Sequence, residues 1–320
     1  MPYIDKSILE EIESSKHKLD EHKLDIFVDE MFQNLLKECL IQAPVQDEDN
    51  ARRRDEVVTN FGEAWKWGHQ HYQGEFNLVL LQELAGKIEP YQCGGRNGFA
   101  PFRSTGATLA SLNYTAPADE SRIRAHLERV LHVLKRNLHP VEEAVFLYFN
   151  IVRIQPFEAG NKRTANMVMN LTLGHNGFPV ICVNPRERNI YLSLLDSALK
   201  GFRESGATGK DELEPYVRPD PRQRALYDFL GQKVQCKLKA SEDTLANLPH
   251  YEIIFHTNNP GTMYSAKRKI VSWFASRQAS YADRLAVKAR TLTVTGEMKY
   301  ETLEGLLKPI RGMKYTIRTL

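Results

Sequence analysis

Four consecutive residues, Gly160-Asn161-Lys162-Arg163, put a conformationally free glycine and two cations at the point where an apolar helical pattern resumes. A helix beginning there offers unpaired backbone N–H groups, the positive end of its dipole and two side-chain charges to one small volume. Such a terminus binds an anion, and phosphate is the chemistry it fits best. The plainer alternative is a corner between two helices with a solvated basic pair.

The elements that must hold this loop are legible on both sides. Upstream, Val141 to Ile154 carries Val145, Phe146, Phe149, Val152 and Ile154, too dense for a half-exposed strand and long enough for a buried helix. Pro156 ends it, because the residue before a proline is pushed out of the α region. Downstream, Ala165, Met167, Val168, Met169, Leu171 and Leu173 predict a second helix that stops near Asn176-Gly177.

The longer stretch Gln155-Pro156-Phe157-Glu158-Ala159-Gly160-Asn161-Lys162-Arg163 resembles the motif of the Fic (Fic/Doc, or Fido) family, His-x-Phe-x-Asp/Glu-Gly-Asn-Gly/Lys-Arg. His139-Pro140-Val141-Glu142-Glu143-Ala144 resembles that family's entry into the preceding helix, and Asn176-Gly177-Phe178-Pro179 with Tyr191 its exit. Phe102-Arg103 and Asn113-Tyr114-Thr115-Ala116-Pro117 resemble its flap. The likeness covers residues 75 to 230. It implies a helical core, ATP and Mg²⁺ as cofactors, and transfer of AMP, or in the Doc-like lysine form a phosphate, to a protein hydroxyl. The flap, with Phe102 and Arg103, would hold the target by adding a strand to it.

Three positions depart from that pattern. Gln155 stands where the family has its general base, and an amide has no useful basicity at neutral pH. Ala159 stands where a carboxylate holds Mg²⁺, and a methyl group ligates no hard cation. Glu158 is the neighbouring carboxylate, a candidate metal or polar contact that points about a quarter turn away. Asn166 replaces a second arginine that the lysine-bearing form often lacks. The family's inhibitory helix, Ser/Thr-x-x-x-Glu-Gly/Asn, has its nearest match at Thr59-Asn60-Phe61-Gly62-Glu63, but Ala64 follows, and the segment reads as an ordinary packing helix.

The whole chain sets wider bounds. Its 320 residues are enough for two or three domains, and 43 basic against 40 acidic residues exclude no partner class. Cys39, Cys93, Cys182 and Cys236 are scattered, without a Cys-x-x-Cys pair or zinc spacing, which fits a reducing cytoplasm. No continuous apolar run opens the chain, so neither a secretory signal nor a membrane span is expected. Gly206-Ala207-Thr208-Gly209-Lys210 is no Walker loop, since Glu204 and Asp211 stand where Gly and Ser or Thr are needed.

The expected fold is α+β overall: a mainly α-helical core with a β-hairpin flap, then a small C-terminal α+β domain. The expected domains are an N-terminal helical region at 1–72, the Fic-like domain at 73–232, a linker or bridging helix at 233–248 and a basic domain at 249–320. Helical spacing runs from Lys6 to about Lys37 and from Val57 to His71, with a charged, loop-like run from Gln46 to Glu56 between them. Glycine-rich residues from Gln92 to Ala116 make the flap, and Ser121 to Lys135 a clean amphipathic helix. The C-terminal domain reads strand (Tyr251 to His256), helix (Ser265 to Ala279), strand (Leu285 to Thr295), helix (Thr302 to Leu307) and strand (Lys314 to Leu320).

Residues 249–320 hold 12 Lys and Arg against 5 Asp and Glu, a balance of +7 that leaves −4 for the remainder. Lys267, Arg268 and Lys269 follow one another on the expected helix, a docking surface for nucleic acid or an acidic partner or else a solvated face. The function this pattern supports first is a nucleotide-binding pseudoenzyme or regulator with a protein partner. An active Fic-type transferase using another base, or an inactivated form of one, is the second reading. A nucleic-acid or partner-binding protein acting through its C-terminal domain is the third.

Overall fold

The computed structural model describes residues 3–21, 50–94, 98–109, 114–206, 213–246, 250–256, 260–275, 285–288, 291–295, 298–310 and 314–319. Contacts divide the chain into two compact units, Met1–Glu13 with Val28–Leu238, and Ser14–Phe27 with Lys239–Leu320. Among the described residues the architecture is mainly helical with two small sheets. No helix described is long and apolar enough to cross a membrane.

The order of elements up to Ala246 is α1 (Lys6–Glu21), α2 (Asn50–His71), α3 (Leu78–Ile88), a 3-10 turn (Pro90–Cys93), the hairpin β1 (Thr108–Leu109) and β2 (Tyr114–Thr115), α4 (Glu120–Leu134), α5 (Pro140–Ile154), α6 (Asn161–His175), α7 (Arg188–Gly206), α8 (Glu214–Val217) and α9 (Pro221–Ala246). At the centre of the larger unit α5 packs along α6, with α4 against α5 and with α2 and α3 against α6.

α5 forms where the sequence demands it. Pro140 occupies the first turn, and the His139 ring accepts the Val141 N–H at 3.2 Å. From Val141 to Ile154 every residue but Glu143 is buried. A helix buried all round must partner its polar groups. The Glu142 carboxylate accepts the N–H groups of Tyr3 and Ile4. Arg153 donates to Asn150 Oδ1 and to the Tyr216 hydroxyl, each at 3.0 Å, and its guanidinium lies 3.8 Å from the Phe202 ring centre. The charge also sits in the last turn, where the dipole favours a cation.

The start of α2 differs from expectation. Residues 50–56, expected as loop, are the first turns of α2. Arginine, aspartate and glutamate in succession mark solvent exposure, and arginine and glutamate are good helix formers on an exposed face. The stretch from 22 to Lys37, expected as helix, and residues 207–210 of the Walker-like stretch lie outside the described residues.

In the smaller unit β3 (His250–Phe255), α10 (Pro260–Ala275), β4 (Leu285–Lys288), β5 (Thr291–Thr295), α11 (Tyr300–Leu307) and β6 (Tyr315–Thr319) follow in a βαββαβ order. The sheet runs β4-β5-β3-β6, antiparallel throughout, the ferredoxin-like arrangement. Strand alternation turns Tyr251, Ile253, Phe255, Leu292 and Val294 onto Ala266 and Ile270 of α10 and Leu303 and Leu307 of α11. The single strand expected from Leu285 to Thr295 is in fact two, paired with Leu285 opposite Val294. Ala289-Arg290 between them carries none of the Gly, Asn or Asp that marks a hairpin turn in sequence.

Candidate functional site

The site is the turn between α5 and α6. Gln155 caps α5 in the left-handed region, φ 49°, with its N–H still bonded to Ile151 O. Its side chain folds back, Nε2 donating to Val152 O at 2.6 Å. The Gln155 amide is thus occupied with its own helix. Phe157 is buried against Phe102, ring centres 5.7 Å apart.

Two side-chain amides set the shape of the loop. Asn161 accepts the Phe157 N–H at 2.9 Å and donates to Phe157 O at 2.7 Å. Gln92, beyond the end of α3, accepts the Ala159 N–H at 3.0 Å and donates to Ala159 O at 3.2 Å. Each amide closes a ring with main chain, so the backbone from Phe157 to Asn161 is held without help from a ligand. Gly160 turns the chain with φ 75°, and a Cβ there would meet Glu89 Cγ at 2.8 Å. Glycine is needed for the angle and for the space.

α6 then begins without a side-chain cap, and the Thr164 N–H bonds to Gly160 O at 2.8 Å. The N–H groups of Asn161, Lys162 and Arg163 precede the first intrahelical bond and face the helix N-terminus. Arg163 reaches back to Glu89, an ion pair with side-chain exposures of 17% and 7%. Its second terminal nitrogen, Nη1, is buried with no hydrogen-bond partner. Lys162 is half-buried with no carboxylate partner among the described residues; burial first, and Arg188 at the start of α7 second, hold its ammonium below the ordinary lysine range. An orphaned guanidinium nitrogen, a cation disfavoured by burial and by Arg188, and uncapped N–H groups together fit an anion.

The same residues do not fit a resident Mg²⁺. Glu158 is exposed, and Thr105 Oγ1 lies 3.4 Å from its carboxylate. Ala159 offers a methyl group, and the described residues hold no cluster of three potential ligands. A hard divalent cation needs several oxygen ligands.

Phe102 and Arg103 are 4% and 2% exposed. Arg103 donates from Nε to Gln155 O at 2.6 Å, from Nη2 to Pro117 O at 2.6 Å and to Ile154 O at 3.2 Å, and from Nη1 to Thr105 O. It gathers the last carbonyls of α5 and ties the 102–117 segment to them, as a cation at a helix C-terminus can. Arg103 thereby ties Thr105 and Pro117, on either side of the hairpin, to the end of α5, and Thr108 and Thr115 are the exposed positions of the two strands. Lys267 and Arg268 are exposed on α10, whereas Lys269 is half-buried at the flank.

Sequence reading missed Glu89, Gln92 and Arg188. Glu89 precedes a proline and carries no further local signal, and Gln92 opens a glycine-rich run. Nothing local joins either to a loop about 70 residues on.

A model of the Fic/DOC family matches residues 78–173. Protein adenylyltransferase Fic of Nematostella vectensis is 30% identical over 142 residues, 44% of this chain and 30% of that protein. The enzyme of the same description from Drosophila grimshawi is 28% identical over 142 residues, 44% of this chain and 26% of that one. The match thus spans less than a third of these relatives. In fold, the chain resembles a Fic domain containing signaling protein from Bacteroides thetaiotaomicron, with TM-score 0.52, 17% identity and coverage of 72% of this chain and 94% of that one. It likewise resembles Fic-1 from C. elegans, with TM-score 0.52, 14% identity and coverage of 75% and 72%.

Proposed function

We propose that this chain, in which residues 78–173 form a Fic/Doc family domain, binds a nucleotide by its phosphates at the start of α6 and acts as a regulator rather than as an efficient AMP transferase. The observation that carries the reading is the pairing of a braced, uncapped helix start with a Gln155 amide that is bonded to Val152 O. The loop can hold an anion, and nothing at position 155 can take a proton from an attacking hydroxyl.

ATP is the nucleotide that the adenylyltransferase relatives imply. Its polyphosphate would meet the N–H groups of residues 161–163, the free nitrogen of Arg163, and the cations of Lys162 and Arg188. When bound, ATP would supply an activated AMP group for transfer to a hydroxyl, with pyrophosphate as the leaving group. General-base catalysis contributes about 10² to 10⁴ in rate. Its loss alone suppresses turnover while leaving phosphate binding in place. The partner in this reading is a protein, bound near the hairpin whose outward positions are Thr108 and Thr115.

Calorimetric titration of ATP into the full chain and into Arg163→Ala tests the reading. The expected result is binding to the first and a loss of at least tenfold in the second, since a charge-assisted hydrogen bond is worth about 1.5–3 kcal/mol. Equal binding in both would remove it.

A further inference from the structure

The inward face of α10 is formed by Met263, Ala266, Ile270 and Trp273, which pack on the core of the smaller unit. Half a turn round, Tyr264, Lys267 and Arg268 stand at i, i+3 and i+4, and so share the opposite face. Tyr264 is 70% exposed, more than any other large apolar side chain described. From Pro260 to Ala275 there is no aspartate or glutamate. Neither Lys267 nor Arg268 is paired with a carboxylate among the described residues.

An aromatic plane with two cations one turn away has a definite chemical preference. Burying a tyrosine ring against a nucleobase uses its flat face, and the cations meet the phosphates on either side of that base. On the sheet face away from the helices, the middle of the two central strands carries Glu252 and Ile254 beside Thr291 and Thr293, none of them aromatic. We propose that the outward face of α10, formed by Tyr264, Lys267 and Arg268, binds single-stranded nucleic acid. Tyr264 stacks on one base, and the two cations contact neighbouring phosphates. The excess of positive charge in residues 249–320 extends the attraction beyond the contact itself. A duplex, whose bases are already stacked, gains nothing from the tyrosine. An acidic protein surface uses the cations but not the ring.

The test is fluorescence anisotropy with the full chain and a labelled mixed-sequence single strand of about 20 bases, beside its duplex, at about 50 mM salt. The expected result is micromolar or tighter binding that favours the single strand. Tyr264→Ala should weaken it by roughly 5- to 150-fold, the range for one stacked base, while Tyr264→Phe retains it. Lys267→Gln with Arg268→Gln should reduce the slope of log affinity against log salt by about 1.4, at ~0.7 per phosphate on a single strand. All three positions are solvent-facing, and circular dichroism verifies that each variant folds. No binding, or binding that Tyr264→Ala leaves unchanged, overturns the proposal. Competition by polyglutamate together with a silent Tyr264→Ala reassigns the face to an acidic protein. Equal loss on single strand and duplex in Tyr264→Ala overturns the stacking role.

Discussion

Glu89 and Arg163 are joined as an ion pair across 74 residues, and the carboxylate arrives from the end of α3 at the same loop that offers its charge to an anion. The pair is nearly dry on the carboxylate side, with Glu89 7% exposed. Removing one partner of a buried pair costs about 3–5 kcal/mol because the other charge is left uncompensated. Glu89→Gln should therefore lower stability by an amount of that order, read by urea unfolding. At the same time it should tighten ATP or pyrophosphate binding by roughly tenfold, below the ~4 kcal/mol of a bare pair at 4 Å because the phosphates lie farther off. Unchanged anion affinity in a folded Glu89→Gln protein would show that Arg163 is not shared between carboxylate and ligand.

On the proposed reading, transfer chemistry is expected only when a base is supplied at position 155 and a carboxylate at position 159. Labelled ATP should leave no AMP on candidate proteins, or on the chain itself, with Gln155 and Ala159 in place. Gln155→His with Ala159→Asp should raise labelling by ~10² to 10⁴, the usual worth of a general base. The loop is already held by Asn161 and Gln92, so the new side chains enter a formed backbone. Strong labelling by the unsubstituted chain would mean that another residue supplies the base.

His126 predicts an acid limb of stability. Its ring is bonded to the Tyr216 hydroxyl, and burial first, then Arg153, Arg129 and Arg122, lower its pKa to about 3. An unfolded imidazole titrates near ~6.5. Between those values the unfolded chain holds one more proton than the folded one, so this contribution is complete above the unfolded pKa and drains as pH falls. From pH 7 to pH 4.5 the loss attributable to His126 is about 2–3 kcal/mol. Chemical unfolding of the natural chain and of His126→Gln at the two pH values measures it. The same pH slope in both would assign the acid limb to other groups.

The site loop and its two helices were legible in the sequence because their causes are local. Pro140 and Pro156 bracket α5, the apolar run between them has no solvent face, and Gly160 supplies the positive φ where α6 begins. Local spacing also indicated the order of strands and helices in residues 250–319, but not the start of α10, at Pro260 rather than Ser265, nor the division into β4 and β5, between which Ala289-Arg290 carry no usual turn residue. Tertiary structure alone decided which groups close around the loop. Gln92, Glu89 and Arg103 reach it from segments 52 to 74 residues away. Their spacing has no period to read, because a side-chain amide or charge bonding to distant main chain depends on where the helices pack. For the same reason the burial of Phe102 and Arg103 is a tertiary outcome: once α5 ends in bare carbonyls, a buried guanidinium is what satisfies them.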